Sequence, residues 1–348
     1  MNKVFEPIRF LAAVIYTALI GDTALTLSDW AQRLDPDGTT ADIVEVLGRT
    51  NEIIEDMLWM PSNQPTSHVS TIRTGYPSGT WRMLNYGVAS EKSRTVQVTD
   101  GMGMLETYSK VDKSLAELNG NTPEFRFQED KAFIEGMNQS FAETLFYGST
   151  AEPQKFVGLA PRYDDTPQAT DELVSTFNII DAGGTSTDNT SLWLVVWGDN
   201  TCHGIFPKGG NAGLQSRDLG EDTVLDENSN EYQAYRTHYK WDCGVVVRDW
   251  RYVVRVANID VSDLDTIANT KLLVQWMIQA SERINNFGMG RAAFYVNRNI
   301  REKLRLGILE KIGSNLTFET VAGKRVMMMD GIPVRRCDAL LNTEARVV

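Results

Sequence analysis

The chain has 348 residues, a formal net charge of −12 and an isoelectric point near 4.9. Hydrophobic residues make up 42% and charged residues 23%, which excludes a wholly disordered protein, and the length predicts two or three domains or subdomains. A protein that grips nucleic acid through its phosphates needs a basic stripe. No run of Lys or Arg supplies one here, so sequence-specific DNA binding is disfavoured.

The cysteine and histidine content argues against a catalytic or metal site. The cysteines are widely spaced and form no C-x-x-C pair or zinc spacing, so we expect buried, reduced thiols in a cytosolic protein: Cys202, Cys243 and Cys337. His203 adjoins Cys202, but nothing nearby in the sequence completes a ligand set or a catalytic triad. We therefore expect no metal and no cofactor.

The first 23 residues are set apart from the fold prediction. Phe10–Ile20 is an apolar run that is too short to span a bilayer as a helix. Gly21-Asp22-Thr23 makes a poor signal-peptide cleavage site. The pattern favours an arm that docks on a neighbouring molecule, or a start codon assigned too early, and it predicts no membrane association.

Two helices and a long hairpin are predicted next. A short helix begins near Ser28, and the Thr39-Thr40 pair opens a longer amphipathic helix that Pro61 ends. Residues 62–110 alternate Thr, Ser, Gly and Val, with the turn-forming stretch Thr74–Gly79 between two extended pieces. Little in 62–110 could form its own core, so we expect the edges of this hairpin to need a partner.

The clearest predicted helix spans residues 123–147, about 35 Å. Its apolar residues recur every four positions and so fall on one face: Phe133, Met137, Phe141 and Leu145. Gly148 follows as a stop signal. Glu135 and Glu143 fall off this stripe, so we interpret them as part of a solvated face rather than as a catalytic pair.

The middle of the chain combines polar loops with aromatic-rich strands. Gly183-Gly184 and the Pro207–Asn211 turn match no phosphate-binding motif, and Asp226–Asn230 lacks the Gly and Glu positions of a calcium loop. Three strands are predicted, at Leu192–Trp197, Tyr239–Val247 and Trp250–Asp260. They supply apolar bulk and charged edges without reactive groups. We therefore interpret them as a surface for neighbouring subunits rather than a substrate pocket.

From Asp260 onward the pattern becomes α/β. The predicted elements are, in order, a helix at 269–286, a strand at 292–296, a helix at 298–311, a hairpin of 318–321 with 326–329, and a strand that begins at Gly331. The apolar residues of the first helix lie on one face, as in a helix with a buried side.

Several strings of the sequence resemble one known family. They are 24–38 (ALTLSDWAQRLDPDG), 51–59 (NEIIEDMLW), 156–163 (FVGLAPRY), 191–198 (SLWLVVWG), 235–244 (YRTHYKWDCG) and 338–348 (DALLNTEARVV). Taken in order, they resemble the major capsid proteins of tailed bacteriophages with the Hong Kong 97 fold, and in particular the epsilon15-type branch of short-tailed phages. The resemblance covers about residues 24–348, and the strings are long enough to make it specific.

The resemblance implies an α+β, Hong Kong 97-like capsid fold with named parts. These are an N-terminal extension without a counterpart in the family (1–23), an N-arm (24–62), an extended loop (63–110), a peripheral domain with a long spine helix (111–165), a peripheral sheet with an axial-domain insertion (166–263), and an axial α/β domain with a return strand (264–348). Some relatives cross-link through a Lys of the extended loop. Lys92 lies in that loop here, but no partner Asn or catalytic Glu aligns, so no cross-link is predicted.

The resemblance also implies a structural function without catalysis. Copies would assemble as hexamers and pentamers into the icosahedral shell that encloses phage double-stranded DNA, without binding it specifically. The family implies portal and scaffolding proteins as partners, a decoration or cement protein as a further candidate, a place in the virion, and assembly in the host bacterial cytoplasm. Two alternatives stay open: an encapsulin-like compartment shell, and an intracellular hydrolase or binding protein with an unrecognised site.

We expect subunits to meet through many contacts, each modest by itself, whose sum makes a stable shell. The predicted contact residues lie in the extended loop, directly after the second predicted strand, and near the start of the third: Arg73, Trp81, Arg82, Lys92, Arg94, Arg248 and Arg251.

Overall fold

The computed structural model of the chain describes residues 51–118, 122–166, 175–226, 229–265, 267–309, 316–321 and 324–348. The helix near Ser28, and the first part of the helix from Thr39, lie outside the described residues.

The described elements are given in chain order. The helices are α1 (Ile53–Asp56), α2 (Lys113–Glu117), α3 (Thr122–Tyr147), α4 (Ile267–Glu282) and α5 (Arg298–Leu309). The strands are β1 (Trp59–Pro61), β2 (Ser67–Gly75), β3 (Arg94–Gly101), β4 (Gly103–Asp112), β5 (Ile179–Asp181), β6 (Asn189–Trp197), β7 (Cys202–Phe206), β8 (Gln215–Leu225), β9 (Glu231–Val247), β10 (Val253–Asp260), β11 (Arg291–Val296), β12 (Leu316–Val321), β13 (Lys324–Met329) and β14 (Ile332–Arg336).

The chain divides into two compact units. In its described residues, the smaller unit consists of Thr107–Phe133 and Ser216–Tyr239. Its core is a small apolar cluster against which Tyr235 packs: Val111, Leu115, Ala116 and Phe125. The Asp112 carboxylate caps α2 by accepting a hydrogen bond from the Ser114 N–H at 2.8 Å. The larger unit takes up the described parts of Val46–Glu106, Ile134–Gln215 and Lys240–Val348.

In the larger unit, β6 is the central strand of the sheet. It pairs antiparallel with β10 on one side and with β11 on the other. The sheet continues from β11 through β14 and β13 to β12, and from β10 to β5. At the C-terminal end of β6 the sheet continues through β7, which pairs in parallel with β1 and antiparallel with the last residues of β9.

β6 is buried along its whole length and contributes to two apolar layers. Leu192, Leu194 and Val196 form one cluster with residues of α4 and α5. On the opposite face, Trp193 lies against Phe146 of α3, with 5.9 Å between the ring centroids. The alternation follows the two-residue period of a strand, and burial on both faces explains the nearly continuous apolar sequence.

This burial corrects one prediction. The segment from Leu192 to Asp260 was interpreted as a surface for other subunits, but β6 and β10 are core strands of the chain itself. The charge that made β10 look exposed is Arg255, which is 4% exposed and is paired with Glu344 at 2.8 Å. The start of the third predicted strand is also wrong, because Trp250–Tyr252 form a 3-10 turn before β10 begins.

Local sequence pattern predicts the end of one helix correctly and the end of another wrongly. α3 ends at Tyr147, with Gly148 next, as predicted. The helix predicted to reach Pro61 instead ends at Asp56, and Trp59–Pro61 form β1, because that segment pairs with the distant strand β7. The predicted C-terminal helices, strands and hairpin are confirmed to within a few residues at their described ends.

The sequence pattern missed three strands in the stretches interpreted as polar loops: β5, β7 and β8. Among the described residues, no helix is long and apolar enough to cross a membrane.

Candidate subunit interface

β2 and β3 form a two-stranded hairpin. The ladder runs from Ser67 opposite Gly101 at the root of the hairpin to Gly75 opposite Arg94 at its far end. Within the described residues these strands pair with each other and with no further strand. A hairpin of this kind is marginal alone in water, so its contacts beyond the ladder decide its stability.

Residues 76–93, which we call the hairpin tip, connect the two strands without regular secondary structure. The Glu91 carboxylate holds the start of the hairpin tip by accepting from the Ser78 N–H at 2.6 Å and from the Ser78 hydroxyl at 3.2 Å. Asn85 adopts a φ of 68°, the left-handed region that Asn tolerates better than most residues, and so turns the chain. All side chains from residue 77 to residue 97 are exposed.

The hairpin tip exposes a cluster of large apolar side chains. Trp81 is fully exposed, at 101% of its reference area, and Leu84 is 86% exposed. The remaining exposed apolar residues of the hairpin tip are Tyr76, Met83, Tyr86 and Val88. Large exposed apolar surfaces are uncommon on soluble monomers and are typical of interaction sites. The hairpin tip is therefore a candidate interaction surface.

A groove of about 380 Å³ lies between the far half of β2 and the core of the larger unit. We call it the basic groove, because its charged lining consists of four guanidinium groups and one carboxylate: Arg73, Arg248, Arg251, Arg283 and Asp249. Hydroxyl and amide groups complete its polar lining, including those of Thr71, Asn178 and Asn200.

The carboxylate of Asp249 is already engaged by one of these cations. It accepts from the Arg251 Nε at 2.9 Å and Nη2 at 2.7 Å, and this pairing raises the pKa of Arg251. Arg248 donates to the Asp199 backbone carbonyl at 3.1 Å, and Arg283 donates to backbone carbonyls, while burial lowers the pKa of Arg283. The basic groove therefore carries positive charge in a chain whose net charge is −12.

The structure brings together three of the seven predicted contact residues. Arg73, Arg248 and Arg251 line the basic groove, while the other four lie on the exposed hairpin tip and at the start of β3: Trp81, Arg82, Lys92 and Arg94. Sequence reasoning missed Arg283, which follows α4 and is far from the others along the chain. No local signal could have shown it, because it meets them only through the fold.

The root of the hairpin is anchored to the core by a buried ion pair. Asp100 of β3 is 4% exposed, and its Oδ1 lies 2.6 Å from Nη1 of Arg162. The same guanidinium donates to the carbonyls of Val157 and Gly158, each at 3.1 Å. Beside this pair, His68 of β2 packs edge-on against His203 of β7.

The cysteines of the larger unit are buried. Free thiols were predicted to be buried, and all three are: Cys202, Cys243 and Cys337. Burial raises the pKa of each, which disfavours the nucleophilic thiolate. Within the described residues, no group of three His, Cys, Asp or Glu side chains could hold a metal ion.

Comparison with known proteins identifies the family. A family model described as major capsid protein GP7 matches residues 35–348. The solved structure of bacteriophage epsilon15 has 33% sequence identity, covers 95% of this chain and 99% of the other, and gives a TM-score of 0.72. No curated protein sequence matches.

Two other solved structures are more distant. The bacteriophage JBD30 capsid is 8% identical over 97% of this chain and 99% of its own, with a TM-score of 0.49. The SrpI encapsulin of Synechococcus elongatus PCC 7942 is 12% identical over 68% of this chain and 96% of its own, with a TM-score of 0.39. The family model and the epsilon15 match favour a phage capsid protein over the encapsulin alternative.

The predicted α+β, Hong Kong 97-like capsid fold is confirmed, and so is the prediction of a structural protein that is not an enzyme. The chain belongs to the major capsid protein GP7 family, whose members form the shell of the phage capsid.

Proposed function

We propose that copies of this chain assemble as hexamers and pentamers into a closed icosahedral shell, and that the hairpin tip clasps a neighbouring copy in that shell. The observation that carries this is the complete exposure of Trp81 within an apolar cluster. A tryptophan presents roughly 150–250 Å², so its burial would contribute about 4–6 kcal/mol before the entropic cost of association. A closed shell repeats each contact on every copy.

The parts of the fold follow the family plan in this proposal. Residues 24–62 form the N-arm, 63–110 the extended loop, and 111–165 the peripheral domain with α3 as its spine helix. Residues 166–263 form the peripheral sheet with an axial insertion, and 264–348 the axial domain and return strand. The hairpin of β2 and β3 supports the second assignment, because its edges pair with no further strand of the described residues.

The basic groove gives the clasp a charged component. Each copy carries a net charge of −12, so copies that come together must bring acidic surfaces close to one another. Four guanidiniums with one engaged carboxylate suit a carboxylate-bearing segment of the neighbouring copy, since Arg matches carboxylate geometry. Nucleic acid would need a longer basic stripe.

The first experiment separates folding from assembly. Trp81→Ala should abolish or strongly reduce shell formation, measured by electron microscopy and size exclusion, and should leave the urea unfolding curve of the unassembled chain unchanged. Thr80→Ala is the matched control, because Thr80 is a polar residue of the same exposed segment. Trp81→Phe should retain much of the assembly. Normal shells from Trp81→Ala, or a destabilised lone chain, would contradict the proposal.

The second experiment tests the charge of the basic groove. Arg73 is exposed, so Arg73→Glu should leave the fold intact and slow assembly. The loss should be marked at about 0.1 M salt, where the Debye length is ~10 Å, and should shrink at about 1 M, where it is ~3 Å. A loss that does not depend on salt would argue against a charged contact.

The shell in this proposal encloses double-stranded DNA and is assembled in the cytoplasm of the host bacterium. Portal and scaffolding proteins, and a decoration protein outside, are proposed partners from the family plan. The acidic balance would keep packaged DNA from adhering to the inner wall. If the shell encloses the genome, particles purified from infected cells should contain DNA. If the acidic wall does not bind DNA, empty shells should not retain added DNA at about 0.15 M salt. Particles that instead contain a cargo enzyme would favour the encapsulin alternative.

A further inference from the structure

Two histidines meet at the root of the hairpin. His68 lies on β2 and His203 on β7, and their rings pack edge to face with 5.7 Å between centroids. His203 is completely buried, and His68 is half-buried. The contact therefore joins the hairpin to the core sheet of the larger unit.

The polar atoms of this pair are poorly satisfied. Neither ring nitrogen of His203 makes a hydrogen bond of good geometry within the described residues, and the buried Nδ1 of His68 makes none either; the one polar contact of the His203 ring is with the Gly198 backbone. A neutral imidazole carries one N–H donor and one acceptor, so the acceptor nitrogen of His203 stays buried and unbonded. Such groups are rare in folded proteins and call for an explanation.

The charges around the pair oppose its protonation. Burial lowers the pKa of His203 to about 4, and His68 and Arg248 add to this effect, while the Gly198 carbonyl and Asp199 act weakly in the other direction. Burial and then Arg248 also lower the pKa of His68.

Asp100 is the carboxylate that faces His68 across the ladder of β2 and β3. Its negative charge raises the pKa of His68, but by less than burial and Arg248 lower it. The Oδ1 atom of Asp100 is already engaged by Arg162. Arg248 and Asp199 are the other charged groups that act on the ring pair.

We propose that the His68–His203 pair is a proton-sensitive latch that holds the root of the hairpin against the core when both rings are neutral and releases it when they are protonated. Two imidazolium ions at this separation would repel each other, and the buried position of His203 offers its charge no water. Because one ring lies on the hairpin and the other on the core, separating the two relieves both costs. The latch lies within one copy, so it does not depend on the proposed clasp.

The direction of the pH dependence follows from the lowered pKa. In the open state His203 would have its ordinary pKa of 6.5, against about 4 in the closed state. The closed state is fully favoured above pH 6.5 and loses that preference as the pH falls towards 4. At about pH 5 the open fraction should rise roughly 30-fold from His203 alone, and the limit at lower pH is roughly 300-fold.

Hydrogen–deuterium exchange of the full-length, unassembled chain tests the latch. Peptides that cover residues 66–75 and 94–102 should lose protection roughly 30-fold between about pH 7.5 and pH 5, after correction for the intrinsic exchange chemistry. His203→Phe should keep the root closed and abolish this loss. His238→Phe is the matched control, because it removes the third histidine, which stacks on Tyr108, and should leave the loss unchanged.

Two further measurements keep the proposal falsifiable should His203→Phe fold poorly. His68→Phe removes the other half of the latch and should also reduce the loss of protection. Histidine proton resonances of the wild-type chain should show one ring that titrates far below pH 6.5. An ordinary titration of all three rings, or an unchanged loss of protection in His68→Phe, would overturn the latch. Protection of the root by added Zn²⁺ at about pH 7.5 would overturn it in favour of a metal-binding pair.

Discussion

Replacing Glu344 by Ala would remove one half of a buried ion pair that ties the C-terminal segment to the core. The Glu344 carboxylate accepts from Nη2 of Arg255 at 2.8 Å, from the Tyr147 hydroxyl at 2.5 Å, and from the Ser191 hydroxyl. The side chains of Arg255 and Glu344 are 4% and 5% exposed. Because water cannot replace the lost carboxylate, Arg255 would stay buried without a counter-charge.

The expected cost follows from that geometry. After Glu344→Ala, Arg255 keeps the Tyr163 carbonyl at 2.7 Å and the Ser191 hydroxyl at 3.0 Å, which are neutral partners. Breaking one side of a buried pair typically lowers the free energy of unfolding by about 3–5 kcal/mol. Glu344→Gln keeps the shape and one acceptor oxygen, so we expect a smaller loss of about 1–3 kcal/mol.

Urea unfolding of the unassembled chain, followed by tryptophan fluorescence, measures these losses. The control is Glu152→Ala, which breaks a Glu152–Lys155 pair of similar length, 2.7 Å, whose side chains are 48% and 43% exposed. An exposed pair contributes about 0–1 kcal/mol, so this change should be nearly neutral. The contrast between the two variants isolates burial as the cause.

A double replacement tests the same reasoning from the other side. Arg255→Met with Glu344→Leu removes both charges and fills the space with apolar atoms, so it should recover most of the stability lost in Glu344→Ala. The argument fails if the double variant is no more stable than the single one, or if Glu344→Ala costs no more than Glu152→Ala.

Two further predictions concern packing and reactivity. Gly148→Ala would place a Cβ 2.2 Å from the Phe156 carbonyl oxygen, so thermal unfolding should show a loss of ~1–3 kcal/mol or more, whereas Gly136→Ala, with no neighbour within 4 Å, should gain about 0.5–1 kcal/mol. An equal effect of both substitutions would contradict the close approach. The second prediction concerns Cys202, Cys243 and Cys337, whose burial shields the thiols and raises their pKa values. A thiol reagent at about pH 8 should label none of them in the native chain and all three after unfolding. Rapid labelling of the native chain would instead show that the core opens.

Elements that depend on local pattern could be predicted from the sequence. α3 has an apolar residue every four positions, and its stripe of Met137, Phe141 and Leu145 is buried. The hairpin of β12 and β13 lies where β-branched and apolar residues flank the dipeptide Ala322-Gly323 of the sequence. In both cases the residues that define the element lie close together in the sequence.

Features that depend on distant partners could not be predicted. Arg255 has the sequence signature of a solvated strand residue, and its burial follows from Glu344, 89 residues later. Likewise the apolar residues before Pro61 continue a helical pattern, yet β1 forms because β7 offers it an edge. A single sequence carries no sign of either pairing.

One part of the candidate interface could be predicted from the sequence, and another could be predicted only in part. Exposure of Trp81 follows from its place in a Gly- and Ser-rich hairpin with no core of its own, so it could be predicted. The basic groove could be predicted only in part, because Arg283 joins Arg73 and Arg248 through tertiary structure.

The proposed interface assigns folding and assembly to separate sets of residues. The core strands β6 and β10 are buried within one copy, and the Arg255–Glu344 pair closes that core without help from a neighbour. Trp81 on the hairpin tip is fully exposed, so we expect it to add little to the stability of a lone copy. Under this proposal, the chain folds first and then assembles through surfaces that one copy leaves uncovered. We expect each of these contacts to be modest, so that wrongly placed copies can dissociate before the shell closes.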